Sequence, residues 1–496
     1  MILQQIKTNS VLYIAIGILL LFALFVFIDT AAFYAFIESS SLWVRQWFGR
    51  FYLYLGLACV FLLLILAFSP FGKKKLGSAD DKPEFSRWAW IAMLYSAGMG
   101  AGILLRAVQE PVYMQQNPPI QTGQSPDTIA LEYTFYQWGF TAWAFYGVFA
   151  LIIGYYLFSR KQPALVSSAI SGVSRSQKLK NSIDILAILT TVFGLVGAVG
   201  LSTTQINGGL NHLFENEFDI WTTIGLVLLI SGIAFLSVWK GMHQGIKRIS
   251  KLNIWVTLIV LAYVFAQSDI LHIISQLGIA LYHYSIDFIP LSLSIGAYDP
   301  GEAFLTDWTY YYWAFWLAWA PFTGIFIARI SKGRTIRELL LGVLIIPALG
   351  TFFWFTVFGE NAFALIESWG SYQGEFSSVF SSIFIFFESY PLASLLNGIT
   401  ILLLISFLVT SVDSAVFVLS MFSDRGNPDP SKRHRLIWSV GIAVFSIAIV
   451  VLGQARPTID VLQALQKLLI VTSLPFALFM VIMISIFIVK IASKKT

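Results

Sequence analysis

Long apolar runs separated by short polar loops set the pattern of this chain. Twelve stand out, at about 10–32, 51–70, 88–109, 131–158, 183–213, 219–239, 252–268, 308–330, 337–358, 388–422, 436–453 and 464–490. A helix of roughly 20 apolar residues crosses a hydrocarbon core of about 30 Å, so each run predicts a membrane-spanning helix. The pattern therefore predicts an all-α integral membrane fold. The first run is too long for a signal-peptide core and has no clean cleavage site after it, so it is read as a span. The long stretch 269–307 contains no Lys or Arg. Within it, residues 270–290 are expected to form an amphipathic helix lying along the outer membrane surface.

Composition narrows the class. The 496 residues are 57% hydrophobic and only 11% charged, with a mean hydropathy of +0.77. A soluble chain would carry about a quarter charged residues. Cys59 is the single cysteine, which excludes a disulfide framework. The net charge of +5 comes from basic residues in short loops and implies no nucleic acid partner.

Those basic residues sort by loop. With the N-terminus inside, 26 of the 31 Lys and Arg fall in inside segments, including Lys7, Lys73–Lys75, Arg160, Lys161, Lys332, Arg334, Arg433 and Lys490–Lys495. Arg45, Arg50 and Arg456 fall outside, and Arg106 and Lys467 lie within spans. Such asymmetry predicts orientation, here with both termini cytoplasmic.

Four domains follow from this layout. Residues 1–86 hold two spans and a cytoplasmic loop, 87–268 a first group of five spans, 269–307 the outer linker, and 308–496 a second group of five. Five is odd, so two such groups, if they are repeats, are inverted in the membrane. Coupled transporters place substrate and ion between repeats of that kind.

Four segments carry candidate chemistry. The first is 308–321, with four tryptophans and three tyrosines. Trp313, Trp316 and Trp319 recur every three residues and line one stripe of a helix. Indole faces attract cations that cannot donate hydrogen bonds, so a row of them predicts a quaternary ammonium site. An interfacial aromatic belt is the ordinary alternative. It suits Trp308 and Tyr310–Tyr312 near the helix start better than Trp316 and Trp319, which lie deeper. The second segment, around Trp138, Trp143 and Tyr146, could complete a cage with those indoles or simply pack.

The third is the glycine run Gly98, Gly100 and Gly102 in the middle of the third span. Glycine weakens a helix by about 1 kcal/mol relative to Ala. Unwound backbone at membrane depth is tolerated where it lines a cavity; close helix packing is the alternative. The fourth is Thr410, Ser411, Asp413 and Ser414 in the tenth span. Hydroxyl oxygens suit Na⁺, but Ser and Thr also bond back to the preceding turn.

At this point the residues resemble a known family. Ser96–Gly102, Glu110-Pro111, Trp138–Tyr146, Asp307-Trp308, Tyr312–Phe322, Phe326–Glu338 and Thr410–Ser414 are similar, in order and over nearly the whole chain, to the betaine/carnitine/choline transporter family. The resemblance implies twelve spans, two inverted five-helix repeats and a homotrimer. It implies an onium cage of Trp138, Trp143, Tyr146, Phe315, Trp316 and Trp319, with Gly98, Gly100 and Gly102 approaching the substrate carboxylate. Phe315 stands where sodium-coupled betaine relatives usually have Trp. The family's sodium site maps onto the hydroxyls of Thr410 and Ser411 and the carbonyls of Ser96, Met99 and Phe407. Sodium-independent carnitine exchangers replace that ion with a fixed positive side chain in span seven, where Ile254 stands here.

The implied function is secondary import of an onium zwitterion such as glycine betaine across a bacterial cytoplasmic membrane, coupled to sodium. The alternative is sodium-independent exchange of betaine- or carnitine-type compounds. No cofactor is expected beyond the coupling ion. An ion channel and a membrane enzyme fit poorly, because no ring of like charges appears and the five histidines lie apart. Family members that sense osmotic stress tend to have long charged tails, so weak osmotic activation is expected. Arg106 departs from the family pattern. It either pairs with Glu110 one turn on or faces the outer substrate pathway.

Overall fold

The computed structural model describes residues 9–98, 100–240 and 243–493. Among the described residues, eleven helices are long and apolar enough to cross a membrane, and one broken pair makes a twelfth. Spans 1 and 2 are Ser10–Ile28 and Thr30–Phe68; span 3 is the broken pair within Arg87–Gln116. Spans 4 to 7 are Pro126–Ser159, Gln177–Phe214, Ile220–Trp239 and Arg248–Ala266. Spans 8 to 12 are Glu302–Ile330, Ile336–Trp369, Ala393–Ser423, Lys432–Leu452 and Val461–Ala492. The expected twelve runs are all found. Among the described residues the backbone is helical apart from turns and one isolated bridge, Lys75 to Thr335.

Spans 4, 5 and 8 form the centre. Their apolar stretches are 89%, 78% and 72% buried, against 33% for spans 1 and 6. Span 8 packs mainly on span 4, which brings together the two segments richest in aromatics.

Three features differ from the expected pattern. Residues 33–50, expected outside the first two spans, belong to the continuous helix Thr30–Phe68. No proline interrupts them, and Asp29 caps the helix by accepting from the Ala32 amide at 2.9 Å. Its 39 residues span about 58 Å at 1.5 Å each. The part before residue 51 carries Arg45 to Thr306 (2.9 Å) and Arg50 to Asp299 (3.4 Å). Second, span 4 breaks at Gly139 (φ −97°, ψ −130°). A Cβ there would lie 2.5 Å from the Phe135 carbonyl and 2.6 Å from the Tyr284 hydroxyl. Third, the stretch before span 10 forms a separate short helix, Ser382–Glu388.

A helix runs over Ile270–Leu293 in the linker, with Asp269 capping it through the His272 amide at 3.1 Å. Its Tyr284 hydroxyl accepts from the Phe140 amide at 2.8 Å, satisfying a donor freed by the break at Gly139.

The basic loops gather at one face. Leu76 N donates to Arg334 O (2.8 Å) and Ile336 N to Lys74 O (2.8 Å), tying loop 70–86 to loop 331–335. Gly77 N donates to Ser159 Oγ (3.2 Å) and Arg433 to the Tyr13 hydroxyl (2.6 Å). At the opposite face Arg456 pairs with Glu38 (3.5 Å) and Lys467 with Asp307 (2.9 Å). Met99, Lys7, Lys494 and Lys495 lie outside the described residues.

Candidate functional site

Breaks in two central helices shape the site. Gly100 is extended (φ −148°, ψ −175°) between helix Arg87–Gly98 and helix Ala101–Arg106, and the two halves of span 3 bend by 56°. This is the interruption that the three glycines predict. A Cβ on Gly100 would meet nothing within 4 Å, while one on Gly102 would lie 3.4 Å from the Trp138 ring. The Trp138 ring thus packs against the broken helix at Gly102 with ordinary contact room for a Cβ. In span 4 the break at Gly139 follows Trp138 directly. The carbonyl of Gln137, next to the break, accepts from the Trp316 indole nitrogen at 3.0 Å. The break in one helix therefore orients the key indole of its neighbour.

The six expected cage residues form one continuous set of ring contacts. Trp138 meets Trp316 at 5.1 Å between centroids, edge to face. Tyr146 meets Trp316 at 6.3 Å and Trp143 at 5.4 Å. Phe315 lies 5.3 Å from Trp316 and 6.1 Å from Trp319. Trp313, expected on the same stripe, points elsewhere. It is fully buried, packs on Tyr136 at 5.0 Å and fills the space opposite Gly56 of span 2. The three indoles cover about 120° of arc on a helix with 100° per residue, and that arc meets span 2 at one end and the cage at the other.

Burial along span 8 is uneven. From Trp308 to Ile330, the only residues not buried are Phe315, Trp319, Phe322, Phe326 and Arg329. Their spacing of four, three, four and three is one helical stripe, running from the cage to the basic loops. Toward the other face, Trp308 and Tyr310–Tyr312 are all buried. The belt reading of these four is therefore incorrect.

Tyr312 and Trp308 belong to a sealed polar and aromatic cluster. Tyr312 stacks on Trp316 at 5.6 Å and on Trp308 at 6.4 Å. Its hydroxyl donates to the Glu110 carboxylate, which also accepts from Trp138 Nε1 at 3.1 Å. Arg106 completes the group. Its Nη1 donates to Gln109 Oε1 at 2.7 Å, and its Nε lies 3.9 Å from Glu110. Its guanidinium sits over the rings of Trp308 (4.8 Å) and Tyr312 (5.9 Å). Arg106 is only 3% exposed, so it lines no open outer pathway in this conformation; the pairing with Glu110 is the arrangement found. Tyr312, Trp308, Gln109 and Phe355, which packs on Trp138 at 5.1 Å, were absent from the expected site. The spacing of four between Tyr312 and Trp316 was the available signal for Tyr312.

The expected ion donors make local bonds. Helix Ala101–Arg106 packs on span 10. Thr410 Oγ1 donates to the Phe407 carbonyl at 3.0 Å and Ser96 Oγ to the Met93 carbonyl at 2.8 Å. Both are bonds back to the preceding turn. Ser411 is half-buried. No hydrogen bond joins Ser96 to Thr410 or Ser411 among the described residues, and Met99 lies outside them. Hydroxyl and carbonyl oxygens are nonetheless the donor types that Na⁺ takes.

The chain matches the family model described as betaine/carnitine/choline family transporter over residues 10–496. It is 36% identical over 456 residues to a glycine betaine transporter of Bacillus subtilis (strain 168), covering 90% of this chain and 87% of that protein. It is 32% identical over 447 residues to an ectoine/hydroxyectoine transporter of Virgibacillus pantothenticus, covering 89% and 88%. It is 32% identical over 487 residues to a high-affinity choline transport protein of Escherichia coli (strain K12), covering 95% of this chain and 70% of that protein.

Proposed function

The chain belongs to the betaine/carnitine/choline transporter family, and from that premise we propose that it imports a small onium zwitterion of the glycine betaine kind across a bacterial cytoplasmic membrane, coupled to Na⁺. It is a transporter and not an enzyme. The observation that carries the substrate reading is the unbroken ring contact from Trp138 through Trp316 to Phe315 and Tyr146, beside the opened backbone at Gly100. A methylated cation has no N–H to donate, so it gains most from ring faces with water excluded. The carboxylate of the same molecule lies toward the backbone at Gly98–Gly102. In this conformation the stripe from Phe315 to Phe326 gives the cage an exit toward the basic face. Rocking of helix groups against one another exposes the site to each side in turn.

Sodium is assigned to the hydroxyls of Thr410 and Ser411 with the carbonyls of Ser96, Met99 and Phe407. Ile254 supplies no fixed charge in its place. Ion binding couples the fluxes only if it favours one conformation. The bond from Thr410 to Phe407 favours the second reading, sodium-independent exchange, because it gives both residues a structural role. A homotrimer is part of the proposal.

Uptake of radiolabelled glycine betaine into proteoliposomes, with and without an inward Na⁺ gradient, tests this. Accumulation that needs the gradient, and a Na⁺ requirement that rises in Ser411→Ala, supports symport. Uptake that ignores Na⁺ and needs preloaded substrate replaces symport with exchange. Failure to take up any onium zwitterion overturns both.

A further inference from the structure

A second cleft lies away from the aromatic cage, where the basic ends of spans 2, 4, 9 and 12 meet. Its volume is about 500 Å³. Lys73, Lys74, Lys75 and Arg160 line it, together with Tyr155 and Ile491. Lys73 and Lys74 are exposed, and Lys75 and Arg160 are half-buried.

The cations are held in place but not neutralised. Arg160 Nε donates to the Tyr155 hydroxyl at 3.2 Å, and its guanidinium lies 5.6 Å from that ring. Lys75 Nζ donates to the Asp81 carbonyl at 2.8 Å, and Lys74 lies 5.6 Å from the Phe71 ring. None of the four makes an ion pair with Asp or Glu among the described residues. The Ser78 backbone amide holds Asp81 below the usual carboxylate range, so it stays charged near Lys332 and Lys75. Lys73, Lys74 and Arg160 have no acidic partner within ion-pair distance among the described residues.

The surroundings are apolar. Phe71, Tyr155 and Phe487 form a ring cluster at 5.3–6.3 Å. Ile65 and Phe68, on the helix leading into the cleft, are 65% and 69% exposed, and Ile488 and Val489, next to Ile491, are 41% and 68% exposed. An apolar exposed flank beside a basic cup matches a ligand with an anionic head and hydrocarbon chains. Basic pockets between spans at the membrane edge bind such headgroups.

We infer that this cleft binds the phosphodiester headgroup of an anionic phospholipid, with Lys73, Lys74 and Arg160 on the phosphate and the chains along Phe68 and Ile488. Free inorganic phosphate shares the headgroup's chemistry but not its chains. Arg160 presents paired donors to two phosphate oxygens, and each lysine presents a mobile point charge. A bound lipid would touch the ends of four spans drawn from both parts of the chain.

The test is binding of dioctanoyl phosphatidylglycerol to the full-length detergent-purified protein by native mass spectrometry. Dioctanoyl phosphatidylcholine and inorganic phosphate serve as the other probes. The variants are Lys73→Gln/Lys74→Gln/Arg160→Gln, and Arg175→Gln/Lys178→Gln, which removes exposed charge from another basic loop. Phosphatidylglycerol should bind the wild type and the second variant alike, and the first variant at least about tenfold more weakly. Phosphatidylcholine should bind neither measurably, and excess phosphate should compete poorly. Equal phosphatidylglycerol binding by wild type and triple variant, with matched thermal melting, overturns the site. Equal losses in the two variants reduce it to general surface charge. Displacement by phosphate at concentrations comparable to the lipid overturns the lipid assignment. If the triple variant melts early, Lys73→Gln/Lys74→Gln, both exposed, replaces it under the same criteria.

Discussion

Glu110→Gln probes the most concentrated group of interactions near the cage. The carboxylate takes the Trp138 indole N–H and the Tyr312 hydroxyl, and it faces the Arg106 guanidinium at 3.9 Å. The side chains of Glu110 and Arg106 are 0% and 4% exposed. At that distance two unit charges attract by about 4 kcal/mol with an effective dielectric near 20. Both donors use the same carboxylate oxygen, which the glutamine amide oxygen can replace, but the charge is removed. Each hydrogen bond to a charged group is worth about 1.5–3 kcal/mol, against about 1 for a neutral one. Two weakened bonds therefore cost about 1–4 kcal/mol, and an uncompensated Arg106 adds to this.

Trp138 and Tyr312 both contact Trp316, so part of the loss should appear in the cage. Each 1.4 kcal/mol is tenfold in affinity. We expect KM for the onium substrate to rise about 10- to 50-fold in proteoliposome uptake. The double variant Arg106→Gln/Glu110→Gln should recover part of the loss, because no buried charge is left alone. A double-mutant cycle should then give about 1–3 kcal/mol of coupling. A KM within about twofold of wild type for a normally folded Glu110→Gln protein, or strictly additive single variants, would refute the argument.

Other expectations follow from single contacts. Trp316→Ala removes the ring shared by Trp138, Tyr146 and Phe315; a desolvated cation–π contact is worth about 2 kcal/mol, so affinity should fall about 30-fold. Phe315→Trp adds an indole face and should tighten onium binding about two- to fivefold, read by titration of the purified protein. Gly139→Ala pushes a methyl to 2.5 Å from the Phe135 carbonyl and should cost about 1–3 kcal/mol, read as a lowered melting temperature; an unchanged Tm would contradict the required close approach. The lone Cys59 is fully buried and gives no labelling background. Phe322→Cys, on the open stripe, should react with a charged maleimide, while the buried Ala314→Cys should not; equal inertness would remove the open path.

The spans and the break in span 3 were legible because each has a local cause. Apolar length sets the spans, and glycines at 98, 100 and 102 weaken one helix at one place. The partition of basic loops was legible for the same reason, and the hydrogen bonds between loops 70–86 and 331–335 place them together. Features set by tertiary contact were not legible. Trp313 and Trp316 look alike in sequence, and only the position of span 2 opposite Gly56 separates a packing residue from a cage residue. Tyr312 reads as an interfacial residue until Glu110, distant in sequence, meets its hydroxyl. The break at Gly139 depends on Tyr284 from the linker helix. The outer extension of span 2 was missed because its polar residues resemble a loop, although the segment holds no helix breaker before Gly49.

That extension fixes something the hydrophobic pattern leaves free. Gly49 and Gly56 lie on one face of the same helix, two turns apart. A Cβ on the first would lie 2.7 Å from the Tyr310 ring, and one on the second 2.7 Å from the Trp313 indole nitrogen. Both notches accept rings from span 8, so the two helices mesh like a toothed rack at two points. Inserting or deleting one residue between Gly49 and Gly56 would rotate one notch by about 100° relative to the other. A side chain would then collide with Tyr310 or Trp313 whichever notch stayed in register. Over the six positions between them the helix should tolerate exchange of many outward residues, but no change in their number.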